Sequence, residues 1–181
     1  SRNYQGAILW NDVSGKIDDG VWKALGNDPN CYYVLCHNLA PTRCQSGQHM
    51  DYVFSGANDE IVTDVTGFFQ RAYKQFEARG LSQRVYFDPC FGFSKTREQN
   101  RYLLKNLKEL FYRNENIDKW MIGISRKSFL RPKNLSQESQ TLTAEMLQVV
   151  VLQQLQNYFL DQQFIFRFHS IETAIALNDA T

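Results

Sequence analysis

Two cationic side chains separated by one residue, Arg167 and His169, close a short apolar run from Phe164 to Phe168. Alternation along an extended segment turns both to the same side. A planar guanidinium beside an imidazole is a donor set for an anion, and Ser170 can cap a following helix whose first amides add positive potential there. Upstream, Val85-Tyr86-Phe87-Asp88-Pro89 ends a second apolar run in a carboxylate. Pro89 supplies no ladder donor and disfavours helix at Asp88, so Asp88 stands where a strand gives way to its loop. A carboxylate among Phe87, Phe91 and Phe93 needs a partner. Asn11 offers both donor and acceptor at another strand end, and Lys127 sits within Ser125-Arg126-Lys127-Ser128. Each has a plainer reading. Asp88 can cap its own loop, Asn11 can finish a turn, and Lys127 can be a surface lysine.

These residues need elements to position them. Apolar runs at Gly6–Asn11, Cys31–Cys36, Arg84–Asp88, Asp118–Ile124 and Phe164–Phe168 read as strands. Helical spacing marks Asp18–Leu25, Asp59–Arg79, a segment opening at Thr96 and running to about Arg113, Thr141–Leu160, and a short helix from Ser170 through Leu177. Thr96 with Gln99 three residues on is a capping-box pattern. Strand then helix, repeated along the whole chain, implies an α/β fold with a parallel sheet and right-handed crossovers. The polar residues Asn11, His37, Asp88, Ser125 to Lys127, Arg167 and His169 all follow strands. In a parallel barrel such positions converge on one face, where ligands bind. Five units cannot close an eight-stranded barrel. The expectation is a single domain over residues 1–181, holding strands four to eight of a TIM (β/α)8 barrel with the first three βα units absent.

Composition narrows the class. At 43% apolar and 22% charged, 181 residues can bury one sizeable core. A formal net charge of +1 provides no field for nucleic acid or an anionic membrane, so any anion site must be local. No apolar run approaches a membrane span and no secretory pattern opens the chain, so the expected compartment is cytoplasmic. The cysteines Cys31, Cys36, Cys44 and Cys90 read as free thiols. Cys36, His37, Cys44 and His49 could be read as zinc ligands, but their spacing fits no established pattern. Cys90 reads as a buried inert thiol or as a reactive one near a lysine. The Thr141–Leu160 helix carries Val149-Val150-Val151-Leu152 and is apolar around most of its circumference, which predicts packing on the sheet and against a second subunit as a homodimer.

Taken together, Asn11-Asp12-Val13-Ser14-Gly15, Leu35-Cys36-His37-Asn38, Asp88-Pro89-Cys90-Phe91-Gly92-Phe93-Ser94-Lys95-Thr96, Gly123-Ile124-Ser125-Arg126-Lys127-Ser128-Phe129 and Arg167-Phe168-His169 resemble the dihydropteroate synthase family of pterin-binding barrels. The pieces stand in family order across nearly the whole chain. The resemblance implies a folate-pathway transferase and sulfonamide target, in which para-aminobenzoate displaces diphosphate from hydroxymethyl-dihydropterin diphosphate. It implies pterin contacts from Asn11, Cys36, Asp88, Gly123 and Lys127, and aminobenzoate contacts from Phe93, Ser125 and Lys127. Arg167 and His169 would hold the diphosphate, Lys127, Arg167 and His169 would be catalytic, and Mg2+ would assist at that end.

The chain departs from the family pattern in places. Cys90 and Ser94 stand where glycine is usual, so side chains occupy positions suited to unusual backbone angles. Ser170 replaces a common Asp, and the motifs of the first three strands, including the usual metal ligand, are not in the sequence. Two alternatives follow: a catalytically inactive remnant serving as a binding or dimerisation module, and a pterin-binding methyltransferase.

Overall fold

In the computed structural model, residues 6–178 are described. The strands β1 (Ile8–Asp12), β2 (Cys31–Cys36), β3 (Val85–Asp88), β4 (Lys119–Ile122) and β5 (Gln163–Phe166) form one sheet in chain order, every neighbouring pair parallel. Sequential order follows from right-handed crossovers of similar length. The helices are α1 (Asp19–Asn27), α2 (Ile61–Glu77), α3 (Arg97–Lys105), α4 (Leu107–Arg113), α5 (Gln137–Tyr158) and α6 (Ile171–Asn178).

Alternation divides the strand side chains into two sets. Tyr33, Leu35, Val85, Phe87, Trp120 and Ile122 join the main core with Val65, Phe69 and Phe76 of α2 and Phe111 of α4. Its centre is aromatic, with Phe69 edge-on to Phe87 at 5.3 Å and to Trp120 at 5.6 Å. Val34, Cys36, Met121 and Cys90 form a separate cluster with Val13, Tyr86, Phe93 and Ile165 on the opposite face. That second face is the inner one. Toward the strands' N-terminal ends it opens into a hollow of about 550 Å³ lined by Leu9, Tyr32, Tyr86, Lys119, Gln163 and Ile165.

The Thr96 box forms: Thr96 Oγ1 accepts from the Gln99 amide at 3.1 Å, and Gln99 Oε1 accepts from the Thr96 amide at 2.9 Å. The expected continuous helix to Arg113 does not. It breaks at Asn106, whose backbone leaves helical angles while its side-chain amide donates to the Tyr102 carbonyl. An Asn that satisfies the preceding turn with its own side chain competes with the helix ladder. Gln137–Tyr158 begins four residues before the expected start at Thr141, because Ser136 Oγ caps the Ser139 amide. It buries Ala144, Gln148, Leu152 and Leu155 and leaves Leu142, Met146, Leu147 and Val150 exposed.

Candidate active site

The loop after β3 is the centre of the arrangement. Asp88 is 3% exposed on the inner face, and its register partner on β2 is Cys36. Its Oδ1 accepts from the Cys90 amide at 2.7 Å, while the Cys36 thiol reaches Oδ2 only at 3.8 Å. Burial pushes the Asp88 carboxyl above its ordinary range, against the Cys90 amide and the charges of Arg167, Lys95 and Lys127. The loop then holds three left-handed residues, Cys90 (φ 55°), Gly92 (φ 83°) and Ser94 (φ 50°). For a residue with Cβ this costs about 1–2 kcal/mol each. The expectation that Cys90 and Ser94 occupy glycine-like backbone positions is met.

The surroundings hold the strain in place. Lys95, 1% exposed, donates to the carbonyls of Phe93 (3.0 Å), His37 (3.2 Å) and Cys90 (3.4 Å). Burial lowers its pKa from 10.5 to about 8. Ser94 Oγ accepts from the Leu39 amide and donates toward Asn38 Oδ1 at 3.1 Å. The Asn38 side-chain amide donates to Val13 O at 2.7 Å, so one clasp joins the loops after β1, β2 and β3. Gly15 permits this closure: a Cβ there would lie 2.6 Å from the Cys36 carbonyl oxygen.

Across the sheet, Gly123 follows β4 and Arg167 follows β5. A Cβ on Gly123 would come within 3.0 Å of Arg167 Nε and one terminal nitrogen, so the guanidinium lies against the strand backbone where glycine leaves room. Among the described residues Arg167 Nε is buried without a hydrogen-bond partner, and the guanidinium charge acts on the Asp88 carboxyl. Lys127 packs over Gly92 and sets its ammonium 4.9 Å from the Phe93 ring centroid. Burial lowers its pKa, and Arg167 adds to the effect. Ser125, 6% exposed, accepts from the His169 amide at 3.2 Å and ties the β4 and β5 loops together.

The structure therefore gathers Cys36, Asp88, Phe93, Gly123, Ser125, Lys127 and Arg167 at the C-terminal ends of β2 to β5. Asn11 pairs with Val34, one inner-face rung below Cys36, and is exposed. His169 is also exposed. His37 is a correction. It is fully buried on the outer face, Nε2 bonds Asp64 at 2.9 Å, and burial drives its pKa down to about 4, so it is neutral packing against Phe68. Only its backbone carbonyl serves the site. The zinc set does not assemble, since Cys44 is exposed while Cys36 is buried in the inner-face cluster. Arg126 enters no ion pair among the described residues. Its left-handed backbone (φ 57°) and exposure turn it away.

Two lining residues escaped sequence reasoning. His49, from the Leu39–Asn58 loop, packs against Phe93 at 4.0 Å between ring centroids with the planes tilted by 38°, and burial lowers its pKa. The sequence pointed to it only as a possible zinc ligand with Cys36, His37 and Cys44, not as a residue lining this site. Lys95 lay inside the Asp88 motif, but nothing in its spacing showed that it turns inward.

A model of pterin-binding enzymes matches residues 3–156. The chain belongs to the pterin-binding enzyme family. It is 30% identical over 123 residues to a dihydropteroate synthase of Streptococcus pyogenes, covering 67% of this chain and 40% of that protein. It is 26% identical over 156 residues to the mitochondrial folate synthesis bifunctional protein of Pisum sativum, covering 77% of this chain and 28% of that one. The dihydropteroate synthase of Anaplasma phagocytophilum, solved with 6-hydroxymethylpterin-monophosphate, superposes with a TM-score of 0.72 at 21% identity, over 97% of this chain and 63% of its own. The five-stranded sheet is thus part of a TIM barrel, and the chain spans under half the length of these two curated relatives.

Proposed function

We propose that this chain supplies the pterin- and diphosphate-facing part of a dihydropteroate synthase active site. The observation that carries the reading is Asp88 Oδ2, buried with no partner closer than 3.8 Å and near Arg167 and Lys127 on the same inner face. A carboxylate with a free oxygen suits the donor edge of a pterin, and Asn11 and Cys36 extend that wall. Gly123 gives Arg167 its place at the opposite side, where the guanidinium would meet the charge of the departing diphosphate, with His169 at the mouth. Lys127 and Phe93 would flank the aminobenzoate, and Ser125 holds the two cationic loops in register.

In the reaction the aminobenzoate nitrogen bonds to the pterin methylene carbon. The carbon–oxygen bond to diphosphate breaks with its electron pair, and the amine proton leaves to solvent. Fixed cations lower the barrier by meeting charge that builds on the leaving oxygen. Among the described residues the one group of three side chains close enough to share a metal ion is Cys36, Asp88 and Cys90, with two sulfurs and no all-oxygen set beside Arg167 and His169, so the donors do not suit Mg2+ and no step is routed through it. Mixing hydroxymethyl-dihydropterin diphosphate with para-aminobenzoate and the protein should release diphosphate in step with dihydropteroate. Ester binding without diphosphate release favours the non-catalytic remnant; methyl transfer to a pterin acceptor favours the methyltransferase. The exposed Leu142, Met146 and Val150 recur every fourth residue on α5 and would form the face of a homodimer. Met146→Glu should then shift sedimentation to the monomer, and an unchanged profile refutes that interface.

A further inference from the structure

We propose that Cys36, Asp88 and Cys90 form a binding site for a thiophilic divalent cation of the zinc and cadmium class, on the inner face at the C-terminal ends of β2 and β3. The two sulfurs and a carboxylate oxygen all lie within 4.8 Å of one another, and all three residues are buried. Tetrahedral coordination with metal–sulfur bonds of about 2.3 Å puts two sulfurs about 3.8 Å apart, so a small closure completes three corners. One oxygen and two sulfurs suit a soft or borderline ion and not Mg2+ or Ca2+, which take oxygen ligands. The fourth corner is left to water or a solute.

Two further observations support the site. Cys90 sits at φ 55°, where glycine costs least, so its backbone does not call for a thiol. Among the described residues Asp88 Oδ2 has only the long contact to Cys36, so a cation would find an oxygen with spare capacity. Binding releases the two thiol protons to solvent. The resulting cluster of two thiolates, one carboxylate and one divalent ion carries a single negative charge, facing Lys95, Lys127 and Arg167.

A cation held by Asp88 would occupy the oxygen assigned to the pterin, and this consequence alone rests on the function proposed above. The test is a Cd2+ titration of the protein, followed by thiolate-to-cadmium charge-transfer absorption in the ultraviolet. One Cd2+ per chain is expected to saturate the band. Cys36→Ser and Cys90→Gly should each weaken binding at least about tenfold, while Cys44→Ser and Cys31→Ser leave it unchanged. Cys90→Gly suits the left-handed backbone, so circular dichroism should report an intact fold. No saturable band, or one unaltered in both the Cys36 and Cys90 variants, overturns the site. In a second arm, 6-hydroxymethylpterin binding is measured with and without stoichiometric Cd2+. Competition supports the shared carboxylate. Cadmium bound through both thiols with pterin affinity unchanged would leave the cation site standing and overturn Asp88 as the pterin anchor.

Discussion

Replacing Asp88 by Asn separates the binding function of this carboxylate from its structural cost. Oδ1 already accepts from the Cys90 amide at 2.7 Å, and Asn can keep that bond. What changes is Oδ2, which becomes a donor facing the donor edge of the ligand. One charge-assisted hydrogen bond is lost, worth about 1.5–3 kcal/mol, and a buried donor is left facing another at a cost of about 1–3 kcal/mol. Together these amount to about 2.5–6 kcal/mol, or roughly two to four powers of ten in pterin affinity at about 1.4 kcal/mol per decade. Stability should move the other way. Burial holds the folded-state carboxyl above its ordinary range even with Arg167, Lys95 and Lys127 nearby, so the cost to the fold grows as pH rises from the ordinary carboxylate value to the raised one and is complete above it. Asp88→Asn should therefore be more stable than the parent at neutral pH, and the difference should shrink as pH falls through the ordinary carboxylate range. Pterin affinity by calorimetry and chemical denaturation at two pH values check both halves. Affinity within threefold of the parent, or a variant that is less stable at pH 7, refutes the reasoning.

Three other perturbations follow from the same geometry. Arg167→Ala removes the guanidinium that lies against Gly123 and should weaken the diphosphate ester by about 2–4 kcal/mol while free pterin changes less than threefold; equal losses in titrations of the two ligands contradict an anion role. Gly92→Ala puts a Cβ at φ 83° and 3.1 Å from the Lys127 ammonium, so unfolding free energy should fall by about 1–2 kcal/mol, with aminobenzoate affinity falling too; an unchanged melting curve counts against the strain. Lys95, lowered from 10.5 to about 8 by burial, binds its proton less tightly in the folded state. Its contribution to stability should rise by up to about 3 kcal/mol as pH climbs from 8 to 10.5, at about 1.4 kcal/mol per unit, and denaturation across that window should show the rise in the parent and not in Lys95→Met.

The sequence by itself determined the alternation of strand and helix, the parallel sheet, and the strand-end location of Asp88, Ser125 and Arg167. These are local consequences of apolar periodicity, of Pro89 after Asp88, and of the Thr96–Gln99 box. Period-two alternation also fixed which strand residues share a face, so Cys36 and Asp88 could be paired as soon as the register was known. Only the tertiary structure decided what happens just beyond a strand, where alternation ends. His37 follows Cys36 directly, yet α2 offers Asp64 and an aromatic wall, so the ring goes outward and stays neutral. Lys95 turns inward because the carbonyls of Cys90 and Phe93 in its own loop meet that of His37 from the loop after β2 at one point that needs a cation. Gly123 and Arg167, more than forty residues apart, are paired by the absence of a Cβ on one strand and a long side chain on the next. Such meetings depend on sheet register and loop closure between distant segments, and neither quantity is written in local sequence.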